Sequence, residues 1–210
     1  MKLTVFGATG GIGQEIVRQA LTTGHEVTAV VRDPARFTVT GPNLTVVRDD
    51  LSAPETVRPA VAGRDAVLSG LGARSRKDAG VATRLTRTVL DAMEAEGVRR
   101  LLVVSAGPVG PEAEGDGMLD RTMRGLVSAV LKDVYADLRE MEAALAGSAT
   151  DWTVVRPPRL QNKPLTGSYR TVVGGFPRRG RFIARADVAH AMLAMTEDPG
   201  TVKQGVGVAY

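Results

Sequence analysis

The chain has 210 residues, 43% of them hydrophobic and 24% charged, enough for one well-cored domain and short for two. It has no cysteine and two histidines, which excludes disulfides, thiolate metal sites, a cysteine nucleophile and a multi-histidine metal centre. The net charge of +4, from 27 basic and 23 acidic residues, is too diffuse for a nucleic-acid partner but suits an anionic cofactor or substrate.

Leu3 to Phe6 reads as a buried strand that passes into Gly7-Ala8-Thr9-Gly10-Gly11-Ile12-Gly13, after which Ile12, Ile16 and Ala20 recur at helical spacing. Gly7 and Gly10 let the backbone bend and approach a ligand, and Gly13 permits tight helix-to-strand packing. Free N–H groups at the start of that helix then face an anion, best matched by a pyrophosphate. The spacing Gly-x-x-Gly-x-x-Gly differs from the Gly-x-Gly-x-x-Gly dinucleotide fingerprint. It resembles the form found in short-chain dehydrogenases/reductases.

His25 reads as a turn residue before a second strand, Glu26 to Val31, which ends in Arg32-Asp33-Pro34. At this point an acidic side chain accepts from the adenosine ribose 2′-OH, whereas an arginine favours a 2′-phosphate. Arg32 comes first, and Asp33 before Pro34 reads as the N-cap of a short helical turn. NADP(H) is therefore expected over NAD(H). A third strand, Asn43 to Arg48, leads to Asp50. The resemblance implies that Asp50 lies beside the adenine or holds the loop; the sequence alone reads it equally well as a helix N-cap ahead of Ser52 and Pro54.

Ala66 to Ser69 is a fourth strand leading to Gly70-Leu71-Gly72-Ala73-Arg74, which in a doubly wound sheet lies over the cofactor where strand order reverses. Arg74, Arg76 and Lys77 form a basic rim. Val81, Leu85, Val89 and Met93 mark a long helix, and Leu101 to Ser105 a fifth strand. In short-chain reductases this strand end faces the nicotinamide, so Ser105 is the candidate for a hydrogen bond to substrate or cofactor; otherwise it only terminates the strand.

Gly107 to Gly117 reads as a loop, and Leu119, Met123, Leu126 and Val130 as a small helix, either a lid or another packed element. The next helix carries Val134, Leu138, Met141 and Leu145. Tyr135 and Arg139 stand on it where typical short-chain enzymes have Tyr-x-x-x-Lys. Arginine supplies charge but cannot relay a proton, which argues against a catalytic tyrosine. Trp152 to Val155 is a sixth strand, ended by the rigid turn Arg156-Pro157-Pro158-Arg159, a candidate border for the nicotinamide. Tyr169 to Val173 and Arg181 to Ile183 suggest short strands, Arg185-Ala186-Asp187 opens a helix on which His190 reads as a packing or surface residue, and Gly205 to Tyr210 suggests a last edge strand.

Taken together, Phe6 to Gly10, Val31-Arg32-Asp33, Leu71 to Arg74, Ser105-Ala106, Pro157-Pro158 and the run Pro164 to Tyr169 resemble the biliverdin-IXβ reductase/flavin reductase group of atypical short-chain reductases. The resemblance implies a single α/β domain over residues 1–210, Rossmann-like and doubly wound, with a mostly parallel sheet and helices on both faces. It also implies NADPH-dependent hydride transfer to a planar conjugated acceptor, a flavin such as FMN or FAD or a linear tetrapyrrole. Cofactor-binding positions are then Gly7, Thr9, Gly10, Gly11, Ile12, Gly13, Arg32, Asp50, Leu71, Gly72, Arg74 and Pro157, with Ser105 in the active site. The group's active-site histidine has no counterpart between Tyr135 and Leu145.

Residues 156–183 are expected to form much of the substrate side, where Arg159, Lys163, Arg170, Arg178, Arg179 and Arg181 offer charge for propionates or a flavin phosphate. No apolar run reaches the roughly 18 residues that span a bilayer. The expected protein is soluble, cytoplasmic, free of membrane and nucleic acid, and a monomer or small homo-oligomer.

Overall fold

Short valine-rich runs separated by glycine turns fold here as alternating strands and helices. A computed structural model of the chain describes residues 1–72, 80–111 and 131–210. Strands β1 (Lys2–Phe6), β2 (Glu26–Val31), β3 (Leu44–Arg48), β4 (Ala66–Ser69), β5 (Arg100–Val104) and β6 (Asp151–Arg156) are parallel, in the order β3-β2-β1-β4-β5-β6. They are followed in the chain by β7 (Arg159–Gln161), β8 (Arg170–Val173), β9 (Phe182–Ala184) and β10 (Gln204–Ala209). β10 extends the sheet parallel to β6, and β8 closes that side antiparallel to β10, which gives eight strands. This is the doubly wound, Rossmann-like architecture that the sequence predicts.

Helices α1 (Gly11–Thr22) and α5 (Arg185–Ala194) cover one face, with Ile16, Val17 and Met192 packed on Leu3, Val5 and Leu68. Helices α2 (Pro54–Val61), α3 (Val81–Ala95) and α4 (Lys132–Ala146) cover the other, with Val57, Met93 and Met141 against Phe6, Val67 and Leu101. Alternate residues of each central strand therefore enter opposite cores, which explains why these strands are apolar throughout rather than alternating.

Two expectations are corrected. The edge strand expected over Gly205 to Tyr210 is the interior strand β10, Gln204–Ala209: Val206 and Val208 are fully buried, and a Cβ at Gly207 would lie 2.5 Å from the Gly175 carbonyl oxygen. Arg159–Gln161 is a strand that the sequence does not announce; it pairs in parallel with β9 in a separate two-stranded sheet.

The two ends of the sheet are treated differently. At the amino ends of β5 and β6, the Arg100 guanidinium donates to the carbonyls of Asp151, Met195 and Thr196 and to the hydroxyls of Thr153 and Thr201. That end is closed by side chains. At the carboxyl ends, the Asp137 carboxylate of α4 accepts from the Ala82 and Thr83 amides at 3.0 and 2.9 Å, capping α3 from a neighbouring helix. This fixes the start of α3 beside the cleft described below. The predicted helix through Leu119 and Val130, and the rim residues Arg74, Arg76 and Lys77, lie outside the described residues. Among the described residues, no helix is long and apolar enough to cross a membrane.

Candidate functional site

The site begins at the turn between β1 and α1. Gly7 has φ +69°, a left-handed conformation open to glycine, and a Cβ there would stand 2.7 Å from the Gly70 carbonyl carbon. Gly13 has no room for a side chain, because a Cβ would lie 2.2 Å from the Gly7 oxygen; helix and strand therefore pack backbone to backbone. Gly10 is extended (φ −79°, ψ 159°) and is the N-cap of α1. The bend expected of Gly7 and Gly10 together is made by Gly7.

The Gly10 amide donates to the Gly7 carbonyl at 2.9 Å, and the first α-helical bond runs from the Gln14 amide to the Gly10 carbonyl. The amides of Gly11, Ile12 and Gly13 thus have no acceptor within the helix, and at the positive end of the helix dipole they favour an anion. Gly7, Thr9, Gly10, Gly11 and Ile12 form one wall of a cleft of about 460 Å³, and Arg32, Asp50, Leu71 and Gly72 also line it. Gly13 supports the turn from behind. Pro157 is buried, and its carbonyl accepts from the Gly107 amide at 2.8 Å. Arg74 lies outside the described residues.

Asp50 accepts from the Ser52 amide at 3.0 Å, and the Ser52 hydroxyl and amide hold its carboxyl below the usual range. The N-cap of α2 is Ala53, so Asp50 is not a helix cap; it holds the loop. Asp49 likewise accepts from the Leu51 amide at 2.6 Å. These two turns keep Leu51, a cleft residue, at φ +59°.

Beside the main cleft is a smaller cavity of about 270 Å³ lined by Thr9, Arg32, Asp33 and Arg36. Asp33 accepts from the Ala35 amide at 3.1 Å and caps the short helical turn Pro34–Arg36, as its position before Pro34 predicts. Its carboxylate is thereby engaged by the backbone. Arg32 and Arg36 are exposed, and no ion pair joins either to another described residue. Arg36 is not singled out by the sequence, although it lies in the turn after β2, beside Arg32.

Sequence reasoning also misses Arg84 of α3, and Leu160 and Arg185, which border the cleft from β7 and α5. Arg185 folds over the start of α1: a Cβ at Gly11 would lie 2.6 Å from its Cδ, and its Nη1 donates to Asn162 Oδ1 at 2.6 Å. A cation placed beside unpaired helix amides is the signal that a linear reading cannot supply.

Ser105 follows the end of β5, its amide donating to the Val155 carbonyl at 2.8 Å. Its hydroxyl is buried and has no partner among the described residues. Tyr135 is buried in the core between α3, α4 and the sheet, and burial pushes its phenol pKa up. Arg139 is exposed. The pair therefore lacks the lowered phenol that acid catalysis by tyrosine requires.

The run Pro164 to Tyr169 is held by Asp187, which accepts from the Thr166 and Gly167 amides at 3.0 and 2.8 Å and from the Thr166 hydroxyl at 3.0 Å. The Tyr169 hydroxyl lies 2.7 Å from Nδ1 of the exposed His190, and burial together with the Asp187 charge pushes the phenol up to about 12. Arg159 lies over the Phe182 ring at 5.9 Å, and Arg170 bonds the Tyr210 carbonyl.

A family model described as NAD(P)H-binding matches residues 7–199. The chain belongs to this NAD(P)H-binding family. The matched span contains the glycine turn, the cleft walls and α5. The chain is similar to the uncharacterized sugar epimerase YhfK of Bacillus subtilis, 27% identical over 208 residues, covering 96% of this chain and 90% of that one. Of solved structures, a Veillonella parvula short-chain dehydrogenase/reductase in complex with NADP superposes with TM-score 0.83 at 19% identity, over 100% of this chain and 94% of that one. A Streptococcus pneumoniae protein provisionally named an NADH-flavin reductase superposes with TM-score 0.81 at 24% identity, over 100% and 99%. At these identities the two structures share the fold.

The residues present fit a nicotinamide dinucleotide. The bare backbone at Gly7 and Gly10 leaves room for close approach, the unpaired amides of α1 match a diphosphate, and the Leu71-Gly72 loop gives a flat wall beyond it.

Proposed function

We propose that the chain is an NADPH-dependent reductase that passes hydride to a planar conjugated acceptor, a flavin or a linear tetrapyrrole. The observation that carries this reading is the side cavity, in which Arg32, Arg36 and the Thr9 wall adjoin the glycine-lined cleft. Two cations there suit a 2′-phosphate dianion, and the one carboxylate among the described residues that line that cavity, Asp33, is tied to its own turn.

When bound, NADPH supplies the hydride. Gly11 and Ile12 would hold its diphosphate through backbone amides, Arg32 and Arg36 its 2′-phosphate, and Asp50 the loop beside the adenosine. Ser105 stands just past β5 with a buried hydroxyl that has no partner among the described residues and would orient a carboxamide or an acceptor carbonyl if the ligand reaches it. With Tyr135 shut in the core, the chain's own residues bind and orient rather than deliver a proton. A flavin or bilin tolerates this, because proximity and orientation dominate the hydride step and water can protonate the reduced product. The name of the Streptococcus pneumoniae structure agrees with this choice of acceptor. A sugar epimerase, the name carried by the Bacillus subtilis relative, needs an active tyrosine and fits Tyr135 and Arg139 less well.

The test is a panel of flavins, bilins and quinones assayed with NADPH and with NADH. Oxidation of NADPH by at least one flavin or bilin, at several times the NADH rate, is expected. The buried Tyr135 also favours a second reading, a redox-sensing module that binds the dinucleotide without turning it over. Tight NADPH binding with no oxidation above background across the panel would decide for that module.

A further inference from the structure

Arg185 is a cation in the main cleft that no feature described so far accounts for. It begins α5, yet its side chain leaves that helix and lies across Gly11 at the start of α1. Its Nη1 donates to Asn162 Oδ1 at 2.6 Å, a neutral acceptor. No ion pair joins it to another described residue. Between Asp151 and Asp187 the sequence has eight basic residues and no acidic one, so no carboxylate in its own segment competes for it. The acids lining the same cleft, Asp49 and Asp50, are engaged by the Leu51 and Ser52 amides. A guanidinium kept beside a helix N-terminus, without a counterion among the described residues and with a neutral holder, is arranged for an anion that arrives from outside.

We infer that Arg185, lying against Gly11 of the glycine turn, binds the cofactor's diphosphate, and that Asn162 is the residue that positions Arg185 for it. The amides of Gly11 and Ile12 and the neighbouring guanidinium would then meet the same diphosphate. Asn162 lies two residues before Pro164, and Asp187, two residues after Arg185, holds Thr166 and Gly167. Arg185 is therefore held by a residue of the 156–183 segment that the sequence assigns to the substrate side, although it lies just beyond that segment itself. This rests on the dinucleotide reading of the cleft, but not on the identity of the acceptor or on the preference for NADPH.

Calorimetric titration of the full chain with NADP⁺, NAD⁺ and adenosine 2′-monophosphate tests it without turnover. Arg185→Ala should weaken NADP⁺ and NAD⁺ alike, by roughly ten- to a hundredfold for a lost charge-assisted pair, and leave adenosine 2′-monophosphate, which has no diphosphate, unchanged. Asn162→Asp, an exposed substitution that gives Arg185 a permanent counterion, should weaken both dinucleotides in the same sense, while Asn162→Ala should do so by only a few-fold. Arg185→Lys should recover part of the loss, since it restores the charge without the planar fork. Unchanged dinucleotide affinity in Arg185→Ala would overturn the inference. In a parallel steady-state assay, a loss confined to the acceptor's KM would overturn it too, assigning the cation to the acceptor. If the wild-type chain binds neither dinucleotide, the reading of the cleft itself fails, an outcome distinct from both.

Discussion

The Tyr210 hydroxyl donates to Asp187 Oδ2 at 2.5 Å, joining the residue after β10 to the first turn of α5. Asp187 is fully buried, and burial alone would raise its pKa; the Tyr210 hydroxyl and the Thr166 and Gly167 donors outweigh burial and hold it below the usual carboxylate range. The ionised form is thus the stabilising one. Its contribution is complete above the unfolded carboxylate pKa of about 4 and is lost as pH falls through the lower folded value. Asp187→Asn should cost about 2–4 kcal/mol near neutral pH, and its Tm should fall less than that of the wild type on acidification. Thermal melts from neutral to acidic pH check this; parallel Tm curves would contradict it.

The glycine turn makes a position-specific prediction. Gly13→Ala sets a methyl group against the Gly7 carbonyl, backbone that cannot rotate aside, whereas a Cβ at Gly72 meets nothing within 4 Å. Gly13→Ala should lower stability by about 1–3 kcal/mol and abolish dinucleotide binding. Gly72→Ala should retain its Tm. Chemical denaturation with parallel NADP⁺ titration separates the two.

Arg32→Ala and Arg36→Ala should each raise the Kd for NADP⁺ by roughly tenfold, about 1.4 kcal/mol. NAD⁺ affinity should stay the same in both, because neither side chain has a phosphate to meet there. Equal losses for the two cofactors would remove the side cavity from 2′-phosphate recognition.

Ser105 and Tyr135 are separated by stability and turnover measured together. The Ser105 hydroxyl is buried without a partner among the described residues, so Ser105→Ala should leave Tm equal or slightly raised while turnover falls. Tyr135→Phe should keep turnover within about twofold of wild type. A large loss in Tyr135→Phe would restore the tyrosine to the chemistry.

What the sequence discloses follows local physics. β1, β2 and β4 to β6 are legible because parallel strands covered on both faces become mostly apolar runs, β3 because Leu44, Val46 and Val47 mark it although it is an exposed edge, and the Asp33 cap because an aspartate before proline acts within its own turn. β7 is not, since Arg159-Leu160-Gln161 has no apolar run and pairs, among the described residues, with β9, more than twenty residues on. Gly205 and Gly207 disguise an interior strand as a weak edge: they are required by Arg156 and Phe176 packing over them, contacts absent from the linear pattern. The same holds at the site. The glycine turn and Arg32 declare themselves, whereas Arg84, Leu160 and Arg185 reach the cleft only through folding, and Asp137 caps a helix more than fifty residues away.

The most direct test mixes the purified chain with one equivalent of NADPH and one of FMN without oxygen, following absorbance at 340 nm and at the flavin band. A reductase of the kind proposed loses both absorbances together, one for one, and much more slowly with NADH in place of NADPH. Retention of both absorbances while calorimetry shows NADPH bound would contradict hydride transfer to a flavin.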